Sequence, residues 1–201
     1  MIPIVLASAS PRRRALLEAL GIDLSVQVSD VSESLDGIPH EVVRKNAAAK
    51  RDDVSCGLSH PAMVIAADTI VVLEGRIMGK PADLDEAHAM LMRLSGKTHE
   101  VLTGVAIVNT ETGGKAEGVE RTEVTFRALT EEHIVRFVEA VRPLDRAGAY
   151  TVDGPGSLLV TRYGGCYQNV LGLPIVLLDT LLGQLGDGLF DRMRADSVRF
   201  L

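Results

Sequence analysis

The chain has 201 residues, 46% hydrophobic and 24% charged, with a formal net charge of -6. That length suffices for one substantial core, and an acidic chain is a poor binder of nucleic acid polymers or anionic membranes. Trp is absent and aromatics reach only 3%, which also argues against the stacking platforms of single-strand binders. Cys56 and Cys166 lie far apart without C-x-x-C spacing, so neither a zinc site nor a disulfide framework is expected, and a reduced cytoplasmic setting is the simplest reading. The start, Met1 to Ser8, does not read as a signal peptide, and no apolar run reaches the length of a membrane span.

In chain order, Ile2 to Ala7 reads as a buried strand and Pro11 to Leu20 as a helix stopped by Gly21. Leu24 to Val28 reads as a second strand, and Glu41 to Asp53 as a helix entered near Pro39. Met63 to Ala67 and Ile70 to Leu73 are strand-like runs on either side of Asp68-Thr69, followed by a tight turn at Glu74-Gly75-Arg76. Asp83 to Leu94 is an amphipathic helix. Glu100 to Val108 and Gly118 to Ala128 form a hairpin around Thr112-Gly113-Gly114. A helix follows at Glu131 to Val141, ended at Pro143, then a strand at Ser157 to Tyr163 and a helix at Leu177 to Leu185. Residues 186–201 are more polar and read as a loosely held tail. Alternating strands and helices interrupted by a hairpin predict a single α/β domain over 1–201, with a mixed twisted sheet and flanking helices.

Four local patterns carry chemistry. In Ser8-Ala9-Ser10-Pro11-Arg12-Arg13-Arg14, Ser10 suits the N-cap and Pro11 the first helical position. The arginines that follow occupy the end of a helix that is already partly positive, which is unfavourable unless an anion binds there. The other reading is a solvated basic turn. In Ala66-Ala67-Asp68-Thr69-Ile70 a carboxylate interrupts an apolar run, where burial is costly unless the group is paired or holds a cation; a divalent metal and a water to deprotonate are the natural partners in a phosphate-handling enzyme. A turn-forming Asp between two strands is the competing account. Lys50, Lys80 in Gly79-Lys80-Pro81, and Arg146 in Asp145-Arg146-Ala147-Gly148 are isolated cations in set positions. Asp30-Val31-Ser32-Glu33 is an acid-rich loop whose plain reading is solvation, and His99 reads as a turn residue rather than a base.

Ser-Ala-Ser-Pro-Arg-Arg near the start, Ala-Asp-Thr-Ile-Val, Gly-Lys-Pro, Leu-Ser-Gly-Lys-Thr-His-Glu-Val-Leu-Thr-Gly-Val, Asp-Arg-Ala-Gly-Ala-Tyr and Tyr-Gln-Asn-Val-Leu-Gly-Leu-Pro resemble, in order and spacing from residue 4 to about 182, the Maf family of nucleotide pyrophosphatases. The resemblance implies two lobes around a cleft, a fold similar to the inosine triphosphate pyrophosphatases, a divalent cation (Mg, Mn or Co), a cytoplasmic location and a homodimer. It implies hydrolysis of nucleoside triphosphates to monophosphate and pyrophosphate, clearing unwanted nucleotides. It also implies Asp68 as catalytic base and Glu33 with Asp68 as metal ligands. Lys50 and Lys80 fall on catalytic lysines, and Ser8, Ser10, Arg12 and Arg13 on phosphate ligands. The chain is most similar to the dTTP/UTP branch, which reads its base with residues matching Arg12, Thr69 and position 153. Two departures stand out: Asp153 replaces Gln, exchanging a donor-acceptor pair for acceptors only, and Arg146 replaces Lys. The same family is also described as inhibiting septum formation, so a non-enzymatic division regulator is the alternative reading; from chemistry alone, a sugar-phosphate hydrolase is a third.

Overall fold

The computed structural model describes residues 1–199. It contains one sheet of seven strands: β1 (Ile4–Leu6), β2 (Leu24–Val26), β3 (Met63–Leu73), β4 (Arg76–Met78), β5 (Thr98–Asn109), β6 (Lys115–Phe126) and β7 (Val160–Gly164). The order is β2-β1-β3-β5-β6-β7, with β4 attached to β3. Strands β2, β1 and β3 run parallel, so long crossovers must join them. These are the helices α1 (Pro11–Ala19) and α2 (Pro39–Cys56). From β3 onward the sheet is antiparallel. The helices α3 (Leu84–Leu94), α4 (Glu131–Val141), α5 (Tyr167–Val170), α6 (Ile175–Gly183) and α7 (Leu189–Arg192) complete the chain. The expected mixed α/β architecture is therefore present.

Alternation along the strands assigns the faces, because successive side chains point to opposite sides. Ile4, Leu6, Met63, Ile65 and Ala67 pack with Leu16 and Leu17 of α1 and Leu178 and Leu182 of α6. Val5, Ala7, Val64 and Ala66 pack with Val54 of α2, and Ile70, Val72 and Leu102 pack with Val43 of the same helix. A fourth cluster joins Val71, Val124 and Phe126 to Leu91 and Leu94 of α3 and Ile134 and Phe137 of α4.

Strand β3 is continuous through Asp68-Thr69, which removes the account of Asp68 as a turn residue between two strands. The ten-rung ladder to β5, with Asp68 opposite Gly104, holds the extended geometry across the polar pair. On the other edge the pairing has a gap. Strand β1 ends its register at Leu6 opposite Ile65, and β4 begins at Val71 opposite Met78. Between them lies a window in which, among the described residues, β3 has a paired strand on one side only. The turn from β3 to β4 falls where expected, with Glu74 and Gly75 both at positive φ (52° and 76°), the geometry of a two-residue hairpin turn.

Other boundaries moved. The strand read from Ser157 begins at Val160, because Gly154–Leu158 is a 3-10 turn. The short helix α5 was not expected, and α6 starts two residues earlier than its apolar run suggested. The tail is held along its described length: Leu189 is buried in the cluster beneath α1, Arg192 pairs with Asp187 and donates from Nη2 to the Ile2 carbonyl at 3.1 Å, and the Arg199 amide donates to the Ala19 carbonyl at 2.9 Å. Residues 200 and 201 of that tail lie outside the described residues.

Gly104 sets how closely α2 approaches the sheet. A Cβ there would lie 2.3 Å from the Val43 carbonyl oxygen. Gly104→Ala is expected to destabilise the protein by about 1–3 kcal/mol, since backbone must move rather than a flexible side chain. An unchanged denaturant midpoint in the variant would show that the contact does not constrain α2.

Candidate active site

A cleft of about 420 Å³ opens on the β3 window. It lies beyond the carboxyl end of β1, where the chain departs to β2 on one side and returns to β3 on the other. Open α/β sheets place ligands at such a switch point. Ser8, Ser10, Arg12 and Arg13 line it from the β1–α1 turn, Glu33 from the loop before α2, Lys50 from α2, and Asp68 and Thr69 from β3. Lys80 and Arg146 line it from the loops after β4 and α4. Asp153 does not line it; it sits at the rim, half-exposed, accepting from the Thr151 hydroxyl, with an oxygen 3.9 Å from Arg146 Nη1.

Because residues 68 and 69 point to opposite faces, the site has two polar centres. On the α2 side, Asp68 is 4% exposed. Lys50 Nζ donates to Asp68 Oδ1 at 2.7 Å and to Glu33 Oε1 at 2.5 Å. Burial alone would raise the Glu33 carboxyl, but the hydrogen bond and charge of Lys50, aided by Lys80 and Arg13, hold it below the usual range. Asn46, one helical turn before Lys50, donates to Asp68 Oδ2 at 2.9 Å.

On the α1 side, the buried Arg13 donates to Ser8 Oγ at 2.8 Å, the Gly172 carbonyl at 2.8 Å and Thr69 Oγ1 at 3.0 Å. Burial lowers its pKa, opposed chiefly by the charge of Asp68. Thr69 in turn bonds Thr103, whose hydroxyl donates to the Asn169 carbonyl. The arginine expected as an open phosphate fork thus braces α1, β3 and the segment before α6. Ser10 caps α1 as expected, accepting from the Arg13 amide at 3.5 Å.

The remaining cations are differently placed. Among the described residues, Arg12 and Lys80 make no ion pair with a carboxylate, and Arg146 Nη1 is buried without a hydrogen-bond partner. Burial and the charge of Arg146 both depress the Arg12 pKa. Arg146 Nε pairs with Asp145 at 3.3 Å, but cations converging on a cleft, Arg12 and Lys80 among them without counter-charges, favour a polyanionic ligand. The far wall is apolar, built from Val71, Val101, Ala147, Val152, Val170 and Leu171.

Sequence reasoning missed Asn46, Thr103 and Asn169. The position of Asn46 four residues before Lys50 was the one available signal. His99 lies in β5 rather than a turn, and its Nε2 sits 2.7 Å from the hydroxyl of Tyr150, a cleft-lining residue. No cluster of three or more His, Cys, Asp or Glu occurs among the described residues. The pair Glu33 and Asp68 fits a hard cation completed by substrate phosphate and water, the manner in which Mg²⁺ is usually held, rather than a cage made by protein alone. No helix among the described residues is long and apolar enough to cross a membrane.

The sequence pattern of the Maf-like protein family matches residues 3–185. A dTTP/UTP pyrophosphatase of Moorella thermoacetica is 46% identical over 195 residues, covering 96% of this chain and all of that protein. The protein of that name from Desulforamulus reducens is 44% identical, covering 92% of this chain and 98% of its own length; the one from Bacillus cereus is 48% identical, with 87% and 91% covered. A dITP/XTP pyrophosphatase structure from Mycobacterium abscessus covers 64% of this chain and 76% of its own at 16% identity and a TM-score of 0.44, a partial likeness only.

His99 yields a test of the buried polar layer. It is 2% exposed with Nδ1 unpartnered, and burial takes its pKa from 6.5 down to about 4. The folded state therefore binds fewer protons than the unfolded state between those values. Stability is fully present above pH 6.5 and declines towards pH 4, by about 3 kcal/mol at the lower end. His99→Gln keeps a donor for Tyr150 and does not titrate, so its loss between pH 7 and pH 4.5 should be smaller. Equal losses in both proteins, read from denaturant midpoints, would assign the acid sensitivity elsewhere.

Proposed function

We propose that this chain, which belongs to the Maf-like protein family, hydrolyses nucleoside triphosphates to the monophosphate and pyrophosphate, with dTTP and UTP as substrates. The observation that carries the reading is a buried carboxylate, Asp68, facing a cleft in which, among the described residues, Arg12 and Lys80 lack carboxylate partners and Arg146 Nη1 is buried without a hydrogen-bond partner. The names of the curated relatives support the substrates.

In this mechanism the triphosphate enters among Arg12, Lys80 and Arg146, while its sugar and base lie along the apolar wall. The phosphate oxygens compete with Glu33 and Asp68 for Lys50, whose ammonium turns from the carboxylates towards the substrate. Asp68 then accepts a proton from water as the water oxygen bonds to phosphorus and the bridging P–O bond breaks. Lys50 and Lys80 offset the charge appearing on the leaving group. A divalent cation held by Glu33 and Asp68 would neutralise phosphate oxygens and make the water more acidic. Arg13 holds Ser8 and Thr69 in place throughout. The setting we propose is cytoplasmic.

Asp68→Asn removes the proton acceptor and turns an amide towards Lys50 or Asn46. Turnover, followed as pyrophosphate release, should fall by at least about 10²-fold. Near-normal turnover would remove Asp68 from the role of base. A catalytically dead variant that still blocked division would instead favour the alternative of a non-catalytic division regulator.

Asp153 tests base choice. It offers acceptors only and lies beside Arg146 at the rim. Asp153→Gln restores a donor and should shift preference towards dTTP and UTP by roughly fivefold to hundredfold in relative kcat/KM, the worth of about 1–3 kcal/mol. An unchanged ranking of UTP, dTTP, CTP and GTP would exclude the residue from base recognition.

A further inference from the structure

The loop between β2 and α2 has no regular secondary structure, yet it is tethered along one face of α2. Asp53 accepts from Ser29 Oγ at 2.8 Å and from the Asp30 amide at 3.2 Å. Lys50 holds Glu33. Asn46 accepts from the Ser34 amide at 3.0 Å and donates to the Ser34 carbonyl at 2.9 Å. Residues 53, 50 and 46 share a helical face by their spacing, so the loop runs antiparallel to the helix and is fixed at successive turns.

Asn46, like Lys50 and unlike Asp53, also reaches Asp68, but it does so as a neutral amide. Its amide nitrogen divides two N–H bonds between the Ser34 carbonyl and Asp68 Oδ2, while its oxygen takes the Ser34 N–H. The reverse amide orientation would set an oxygen against two acceptors, so the network fixes the assignment. The side chain is 6% exposed. Asp at this position would lose both donations, and Leu would lose every bond. Glu33 is fixed in sequence next to Ser34, so one amide ties the loop carrying one carboxylate to the strand carrying the other.

We propose that Asn46 is a positioning residue for the hydrolysis: it fixes the plane of the Asp68 carboxylate and, through Ser34, the place of Glu33, so that both carboxylates face the same phosphate. The proposal rests on the reading of the cleft as a triphosphate site. Lys50 alone cannot fill this role in the mechanism above, because its ammonium leaves the carboxylates when substrate arrives. Asn46 is neutral and has no such competition, so it keeps the arrangement during turnover.

The test uses Asn46→Leu and Asn46→Asp in the full chain, with kcat and KM for UTP measured well below the melting temperature and amide hydrogen exchange measured without substrate. Groups that support ligating or reacting side chains from behind are typically worth about 10- to 100-fold in activity. Both variants should lower kcat by about that factor with KM changed less than about threefold. In Asn46→Leu the Ser34 amide should exchange faster while the amides of α2 stay protected; in Asn46→Asp, which keeps an acceptor for that amide, Ser34 should stay slower than in the Leu variant. If Asn46→Leu does not fold, Asn46→Asp alone decides through its kcat. Wild-type kcat in a folded variant, or a loss confined to KM, would overturn the proposal. Absence of pyrophosphate release from the unaltered protein would instead sink the functional reading, and unchanged Ser34 exchange in Asn46→Leu would overturn the tether independently.

Discussion

The site is organised around the contact between Lys50 and Asp68. A carboxylate in the middle of an eleven-residue, largely buried strand is tolerable only when a counter-charge and hydrogen bonds meet it. That requirement fixes the placement of α2, since the helix must lie close enough for Asn46 and Lys50 to reach the strand. The close approach in turn requires Gly104, directly opposite Asp68 in the ladder, to present no side chain to Val43. Removing either member of the pair would leave a buried charge only partly compensated, a more serious loss than the net gain from forming it.

The cations of the cleft divide into two groups. Lys50 and Arg13 are engaged by protein acceptors, whereas Arg12 and Lys80 face space that protein carboxylates leave open among the described residues, and Arg146, paired through Nε with Asp145, keeps a buried Nη1 without a hydrogen-bond partner. The first group shapes the site and the second attracts the ligand. The net charge of -6 does not oppose this, because fields inside a cleft are set by nearby groups rather than by the overall sum.

Much of this was legible in the sequence. The boundaries of α4 and the turn at Glu74-Gly75 follow directly from capping and turn chemistry. Ser10-Pro11 announced the start of α1. Asp68 was conspicuous as a charge among apolar neighbours, but its place inside a continuous strand was not, because the ladder to a strand some thirty residues later overrides local preference. The commitment of Arg13 to Ser8, Thr69 and the Gly172 carbonyl was equally hidden, since the last of these is 159 residues away. Asn46 reads as an ordinary polar helix residue until its partners on the loop and on β3 are known. The tail looked loose by composition, yet Leu189 and Arg192 bind it to the beginning of the chain.

That last contact, with the parallel half it secures, bears on how the molecule assembles. The ladders from β3 through β5 to β6 join segments close in sequence, whereas β1 must find β3 across some sixty residues and Arg192 must find Ile2 across 190. Chain entropy opposes the longer closures more strongly, and long-range pairing slows folding. On that ranking the antiparallel meander precedes the parallel strands, and the cleft lies along the seam between the two. Half-assembled molecules would then possess most of a sheet and no pocket, so the appearance of catalytic competence during refolding would report the closing of that seam rather than the collapse that precedes it.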